Sequence, residues 1–149
     1  MSRAHQFLNL VTSTMKIDPD DYSPITSTNR ANSFAYALAG WLYMLRRQKN
    51  TRIQAVASIG VLILALALQI DASGLAQLVI VITIVWMAEF LNAAVEAVVN
   101  LATAELHPMA KVGKDVAAAA VLLGVVASVI VGILVLGPPV AQRLGWLNP

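Results

Sequence analysis

Three runs of this chain, 53–70, 75–101 and 116–136, are apolar over nearly their whole length. At about 1.5 Å of rise per residue, each can cross a hydrocarbon core of about 30 Å as a helix. A bilayer core offers no water to backbone N–H and C=O groups, so only helices or a closed barrel can span it. The run lengths fit helices. The expected fold is therefore all-α, an integral membrane protein with three transmembrane helices. Composition agrees: 58% of residues are hydrophobic and 12% charged, where soluble domains carry about 25% charged residues. The net charge of +2, with no basic stripe, argues against nucleic acid as a partner. The absence of cysteine excludes disulfides, thiolate metal sites and cysteine nucleophiles.

The remaining segments fall around these runs. Residues 1–29 are polar, with Pro19, Pro24 and the acids Asp18, Asp20 and Asp21, and read as a mobile cytosolic extension with a short helix near 4–12. They hold no apolar core followed by a small-residue cleavage site, so no cleaved signal peptide is expected. Over 30–47, Phe34, Ala37, Leu38, Trp41, Leu42 and Leu45 recur at helical spacing and Arg46 and Arg47 close the segment. This predicts an amphipathic helix in the membrane interface, capped by Asn32 or Ser33. Asp71 to Gly74 forms a polar turn between the first two spans. Pro108 is expected to break the chain between the second and third, and the third, which starts near Lys114, to stop at Gly137, Pro138 and Pro139. The ordered domain is then 30–137, and 138–149 is a tail, either disordered or interfacial and anchored by Trp146.

Arg46, Arg47, Lys49 and Arg52 precede the first span, and Lys111 and Lys114 lie between the second and third. By the positive-inside rule, the N-terminus and the loop after the second span are cytoplasmic, placing the protein in the plasma (inner) membrane as a multi-pass chain.

Within 86–100, Glu89, Asn92, Glu96 and Asn100 are spaced by three, four and four, so they share one face of a helix that is otherwise apolar. An ionised carboxylate at the bilayer centre costs about 3 kcal/mol or more, and such residues turn to a bundle interior, a partner or a water-filled cavity. One reading is structural, two carboxylates hydrogen-bonded between spans or across an oligomer interface. The functional reading divides by depth. Glu89, the deeper, suits a general base for a hydroxyl presented at the interface. Glu96, nearer water, suits Mg²⁺, which needs only one or two carboxylates alongside phosphate oxygens. Asn92 can orient Glu89 or a substrate oxygen. Lys114 suits phosphate, with a membrane anchor as its plainer reading, and Asp115 can accept from an amino group or hold Lys114. His107 reads as a loop residue rather than a ligand. No GxxxxGK[ST] motif is present, so a nucleotide site here is not of the soluble kind.

Glu89-x-x-Asn92-x-Ala94-x-Glu96-Ala97-Val98-Val99, then Glu105-Leu106-His107-Pro108-Met109-Ala110-Lys111, then Lys114-Asp115-Val116-Ala117-Ala118, together resemble the prokaryotic diacylglycerol kinase and undecaprenol kinase family. Ser33, Phe34, Tyr36, Ala37, Gly40, Asn50, Arg52 and Ile53 extend the resemblance upstream, over about residues 30–137. It implies a homotrimer of subunits, each with an interfacial helix and three spans, transferring the γ-phosphate of Mg·ATP to a lipid alcohol. Glu89 is similar to the family's catalytic base and Asn92 to its active-site neighbour. Glu96 resembles a metal-bridging, nucleotide-contacting ligand. Lys114, Asp115, Glu105 and His107 resemble nucleotide-binding residues, as do Arg30 and Tyr36 on the N-terminal helix. The His107-Pro108-x-Ala110-Lys111 stretch resembles the undecaprenol branch more than the diacylglycerol one.

Two positions depart from the family's pattern. Gln48 and Asn100 stand where a glutamate and an aspartate are usual, and each change removes one negative charge. Either the site works with fewer metals and weaker nucleotide binding, or the chain keeps the fold with a structural or regulatory membrane role. Glu89, Asn92, Glu96, Lys114 and Asp115 all persist, which favours a working kinase. A transporter or proton-conducting subunit using Glu89 and Glu96 as its pathway is the remaining alternative.

Overall fold

The computed structural model of the chain describes residues 30–102 and 107–146. The expected N-terminal extension, Glu105 and the last three residues lie outside these. The described residues form four helices and no strand: α1 Arg30–Arg47, α2 Lys49–Ala67, α3 Ala72–Ala102 and α4 Pro108–Arg143. Among the described residues, those up to Leu42 belong to one compact unit and those from Tyr43 onward to a second.

In the first unit, α1 carries the apolar spacing read from the sequence. Arg30 is already helical, so Asn32 and Ser33 lie inside the helix rather than at a cap.

The second unit holds α2, α3 and α4, all long and apolar enough to cross a membrane. The chain itself buries only 11%, 17% and 6% of their most apolar windows. In water such exposure would drive association. In lipid it carries no such penalty, because acyl chains are as apolar as leucine. The interior consists of Met44, Ala65, Leu78 and Val85, with buried glycines at Gly74 and Gly124. α4 packs mainly along α3, and α2 meets α3 along a sparser seam. At Gly124 the backbones of α4 and α3 approach closely: a Cβ there would sit 3.7 Å from Val85 Cα. Small residues allow this contact between spans.

The helix ends explain where the observed boundaries differ from those expected. Gln48 is extended, at φ −96° and ψ 118°, and separates α1 from α2, so the first span starts at Lys49 and includes Asn50 and Thr51. The Asp71 side chain accepts from Gly74 N at 3.0 Å, capping α3. Gly74 is needed there, since a Cβ would lie 2.6 Å from Ile70 Cγ2 and 3.1 Å from Val135 Cγ1. Gly74→Ala is therefore expected to destabilise the fold by about 1–3 kcal/mol, the usual cost of overpacking, read as a lowered unfolding midpoint in detergent.

Pro108 starts α4 rather than breaking a helix. It occupies the first helical turn, where its missing N–H costs nothing, and His107 Nδ1 accepts from Met109 N at 3.2 Å as the cap. At the other end α4 continues through Pro138 and Pro139 to Arg143. Gly137, lacking a Cβ, eases the clash that proline imposes on the preceding residue. Arg143 Nη2 donates to Ala67 O at 2.8 Å, so the extension places a cation on the last carbonyls of α2.

Candidate active site

The polar stripe faces protein where it matters. Glu89 is 3% exposed although it lies on a span whose neighbouring side chains, such as Met87 and Leu91, are open. A side-chain hydrogen bond from Asn50, in the first turn of α2, reaches its carboxylate, and Glu96 is its electrostatic neighbour along α3. The contact exists because the break at Gln48 lets α2 begin early enough to set Asn50 against the stripe.

Asn92 Nδ2 points to Glu96 Oε1 at 3.5 Å, a long contact that aligns the two side chains on one face. Asn92 is thus turned to Glu96 rather than to Glu89. Three buried polar atoms on α2 and α3 have no partner: the hydroxyl of Thr51, Oε1 of Gln54 and Oδ1 of Asn92. Most buried polar atoms in folded proteins are paired, so unpaired ones are a cost that needs a reason. Here they occur on the two helices joined by the Asn50–Glu89 bond.

Lys114 and Asp115, adjacent in sequence, take different partners. Lys114 Nζ donates to Asn100 Oδ1 at 2.7 Å, joining α4 to the last residue of the stripe. Asp115 instead pairs with Lys111 one turn back, an exposed ion pair worth at most about 1 kcal/mol. His107 uses Nδ1 as the α4 cap, leaving Nε2 as its outward nitrogen. Gln48 is half-buried at the α1–α2 junction and makes no side-chain cap. Arg30 and Tyr36 lie in the first two turns of α1, within the first unit.

Two apolar grooves open beside these residues. One, of about 260 Å³, runs between α3 and α4 and is lined by Leu91, Asn92, Val95, Ala117 and Ala120. The other, of about 650 Å³, lies among α2, α3 and α4, from Gln54 and Trp86 towards Leu136 and Val140. The Trp86 indole N–H donates to Ser58 Oγ at 3.1 Å beside this second groove. Long apolar grooves next to a few polar groups suit a lipid whose head carries the reacting atom.

The sequence pattern points to the stripe, whereas Asn50 enters it only as one of the residues of the upstream resemblance, with no site role. The pairing of Lys114 with Asn100 was likewise not legible. Both depend on how helices are set against one another.

A lipid-facing helical bundle with a buried carboxylate at one end of a polar stripe defines a membrane-embedded protein with a candidate site near one mouth of the bundle. Comparison with known proteins then specifies the family. The family model described as prokaryotic diacylglycerol kinase matches residues 35–136. A diacylglycerol kinase of Synechocystis is 41% identical over 113 residues, covering 75% of this chain and 65% of that protein. An undecaprenol kinase of Bacillus subtilis is 34% identical over 106 residues, covering 71% and 86%. A diacylglycerol kinase of Pseudomonas aeruginosa is 29% identical over 105 residues, covering 70% and 85%. The chain belongs to the prokaryotic diacylglycerol kinase family.

Proposed function

We propose that this protein is a lipid kinase that moves the γ-phosphoryl group of ATP to the primary hydroxyl of a membrane lipid at the cytoplasmic face, working as a homotrimer in the plasma membrane. The observation that carries the reading is Glu89: a carboxylate buried by its own chain and held by Asn50, on an otherwise apolar span. In the proposed reaction the lipid O–H bond breaks and its proton passes to the Glu89 carboxylate. The lipid oxygen bonds to the γ-phosphorus as the bond to the β-phosphate bridging oxygen breaks, and ADP leaves. Phosphoryl transfer asks the protein mainly for positioning and charge neutralisation. Lys114 supplies positive charge to the phosphates. Asn92 keeps Glu96 aligned, and the apolar grooves take the lipid's body. The basic residues before α2 and at the start of α4 favour the cytosol for this end by the positive-inside rule.

The donor set fits Mg²⁺. Glu96 offers carboxylate oxygens, while Mg²⁺ in nucleotide sites takes one or two carboxylates and leaves the rest to phosphate and water. Among the described residues no three His, Cys, Asp or Glu side chains gather. When bound, the ion would neutralise phosphate charge during transfer. Gln48 supplies no charge of its own. Gln48→Glu is expected to lower the Mg²⁺ concentration giving half-maximal rate by about tenfold if this side chain faces the metal. An unchanged Mg²⁺ titration would place Gln48 elsewhere.

A second reading, a family member that retains the bundle without turnover, rests on Gln48 and Asn100. Purified protein in mixed micelles, given labelled ATP and separately diacylglycerol or undecaprenol, distinguishes the two. Phosphorylation of either lipid supports the kinase and identifies its acceptor, with undecaprenol the one favoured by the 107–111 stretch. No transfer to either lipid would leave the structural role.

A further inference from the structure

Lys114 is the cation that the kinase reading places on phosphate, yet an ammonium on a four-carbon stem is poorly fixed by its own backbone. The structure supplies a tether: Lys114 Nζ donates to Asn100 Oδ1 at 2.7 Å, between helices and across 14 residues of sequence. Asn100 ends the stripe one turn beyond Glu96. We propose that Asn100 is a positioning residue, whose neutral amide aims the Lys114 ammonium at the stripe without cancelling its charge.

The chemistry follows from the groups. A lysine ammonium has three N–H donors and an asparagine amide oxygen takes one, leaving two for phosphate oxygens. A carboxylate in the same place would hold the ammonium more strongly and also compete with phosphate for its charge. Lys111 shows that contrast on the same helix. One turn before Asp115, it is ion-paired, so its charge is already answered. Among the described residues, Lys114 is instead held by a neutral partner. With asparagine at position 100, the phosphate-facing cation is oriented while its charge is kept. The inference rests on the kinase reading in one respect, that Lys114 meets phosphate.

The test uses the full chain in mixed micelles, as wild type, Asn100→Ala, Lys114→Met and the double variant. Two readouts keep the inference separate from the reading beneath it. The first is the rate of reductive methylation of Lys114, followed by mass spectrometry with Lys49 as internal reference. Asn100→Ala is expected to speed labelling of Lys114 by about fivefold through loss of one hydrogen bond. Asn100→Asp, which keeps an oxygen there, is expected to leave labelling slow. Unchanged labelling in Asn100→Ala, or fast labelling in Asn100→Asp, overturns the tether.

The second readout is the KM for Mg·ATP against the KM for lipid. Asn100→Ala is expected to raise the former about fivefold and leave the latter unchanged, and to add nothing in the Lys114→Met background. Additive losses, or an effect on lipid KM alone, would mean that Asn100 acts on something other than Lys114 and would overturn the proposal. If the wild type neither binds nor consumes Mg·ATP, the kinase reading fails by itself, and the labelling rates still decide whether Asn100 holds Lys114.

Discussion

Glu89→Gln is expected to lower the rate of lipid phosphorylation by about a thousandfold while Mg·ATP still binds, because a positioned general base contributes about 10²–10⁴ in rate. The substitution conserves shape, so the packing of α2 on α3 is kept. Asn50 still has an amide oxygen to address. What disappears is the carboxylate proposed to take the hydroxyl proton. The measurement pairs steady-state phosphorylation in mixed micelles with equilibrium binding of a fluorescent nucleotide. Turnover close to wild type would remove Glu89 from the reaction and leave its burial as a matter of helix packing. A joint loss of binding and turnover would instead point to a collapsed site.

The second large effect is expected at Glu96. Glu96→Gln should raise the Mg²⁺ concentration needed for half-maximal rate by at least about tenfold, with the lipid KM little changed. Glu96 is the carboxylate aligned by Asn92, whereas Glu89 is withdrawn beside Asn50. The two acids lie about two turns apart on the same helical face but differ in surroundings, and the roles proposed for them differ accordingly. An unaltered Mg²⁺ dependence would mean that the metal is held by phosphate and water alone. A rate loss that no Mg²⁺ concentration recovers would assign Glu96 to the chemical step.

Much of the architecture was legible because bilayer physics leaves few choices. The apolar period of α1 and the three apolar runs are the features that show it. Their ends were less legible, since the same residues carry opposite meanings by position. Pro108 reads as a breaker, yet one residue after a capping His107 it begins a helix. Gly137, Pro138 and Pro139 read as a stop, yet α4 continues to Arg143, whose contact with Ala67 is with a helix 76 residues earlier in sequence.

The site divides the same way. Spacings of three and four place Glu89, Asn92, Glu96 and Asn100 on one face without any knowledge of neighbours. Which residue answers each of them is a matter of register between helices. Asn50 for Glu89 and Lys114 for Asn100 are such pairings.

The small interior described for α2, α3 and α4 has a consequence for how this protein must be handled. With so few side chains enclosed by the chain itself, its cohesion is largely lent by whatever surrounds it, so a melting temperature measured for it belongs jointly to the polypeptide and its amphiphile. The seam between α2 and α3 is the sparser one and carries the Asn50–Glu89 bond. A harsh, short-chain detergent will loosen that seam first, and activity will be lost before helical content falls.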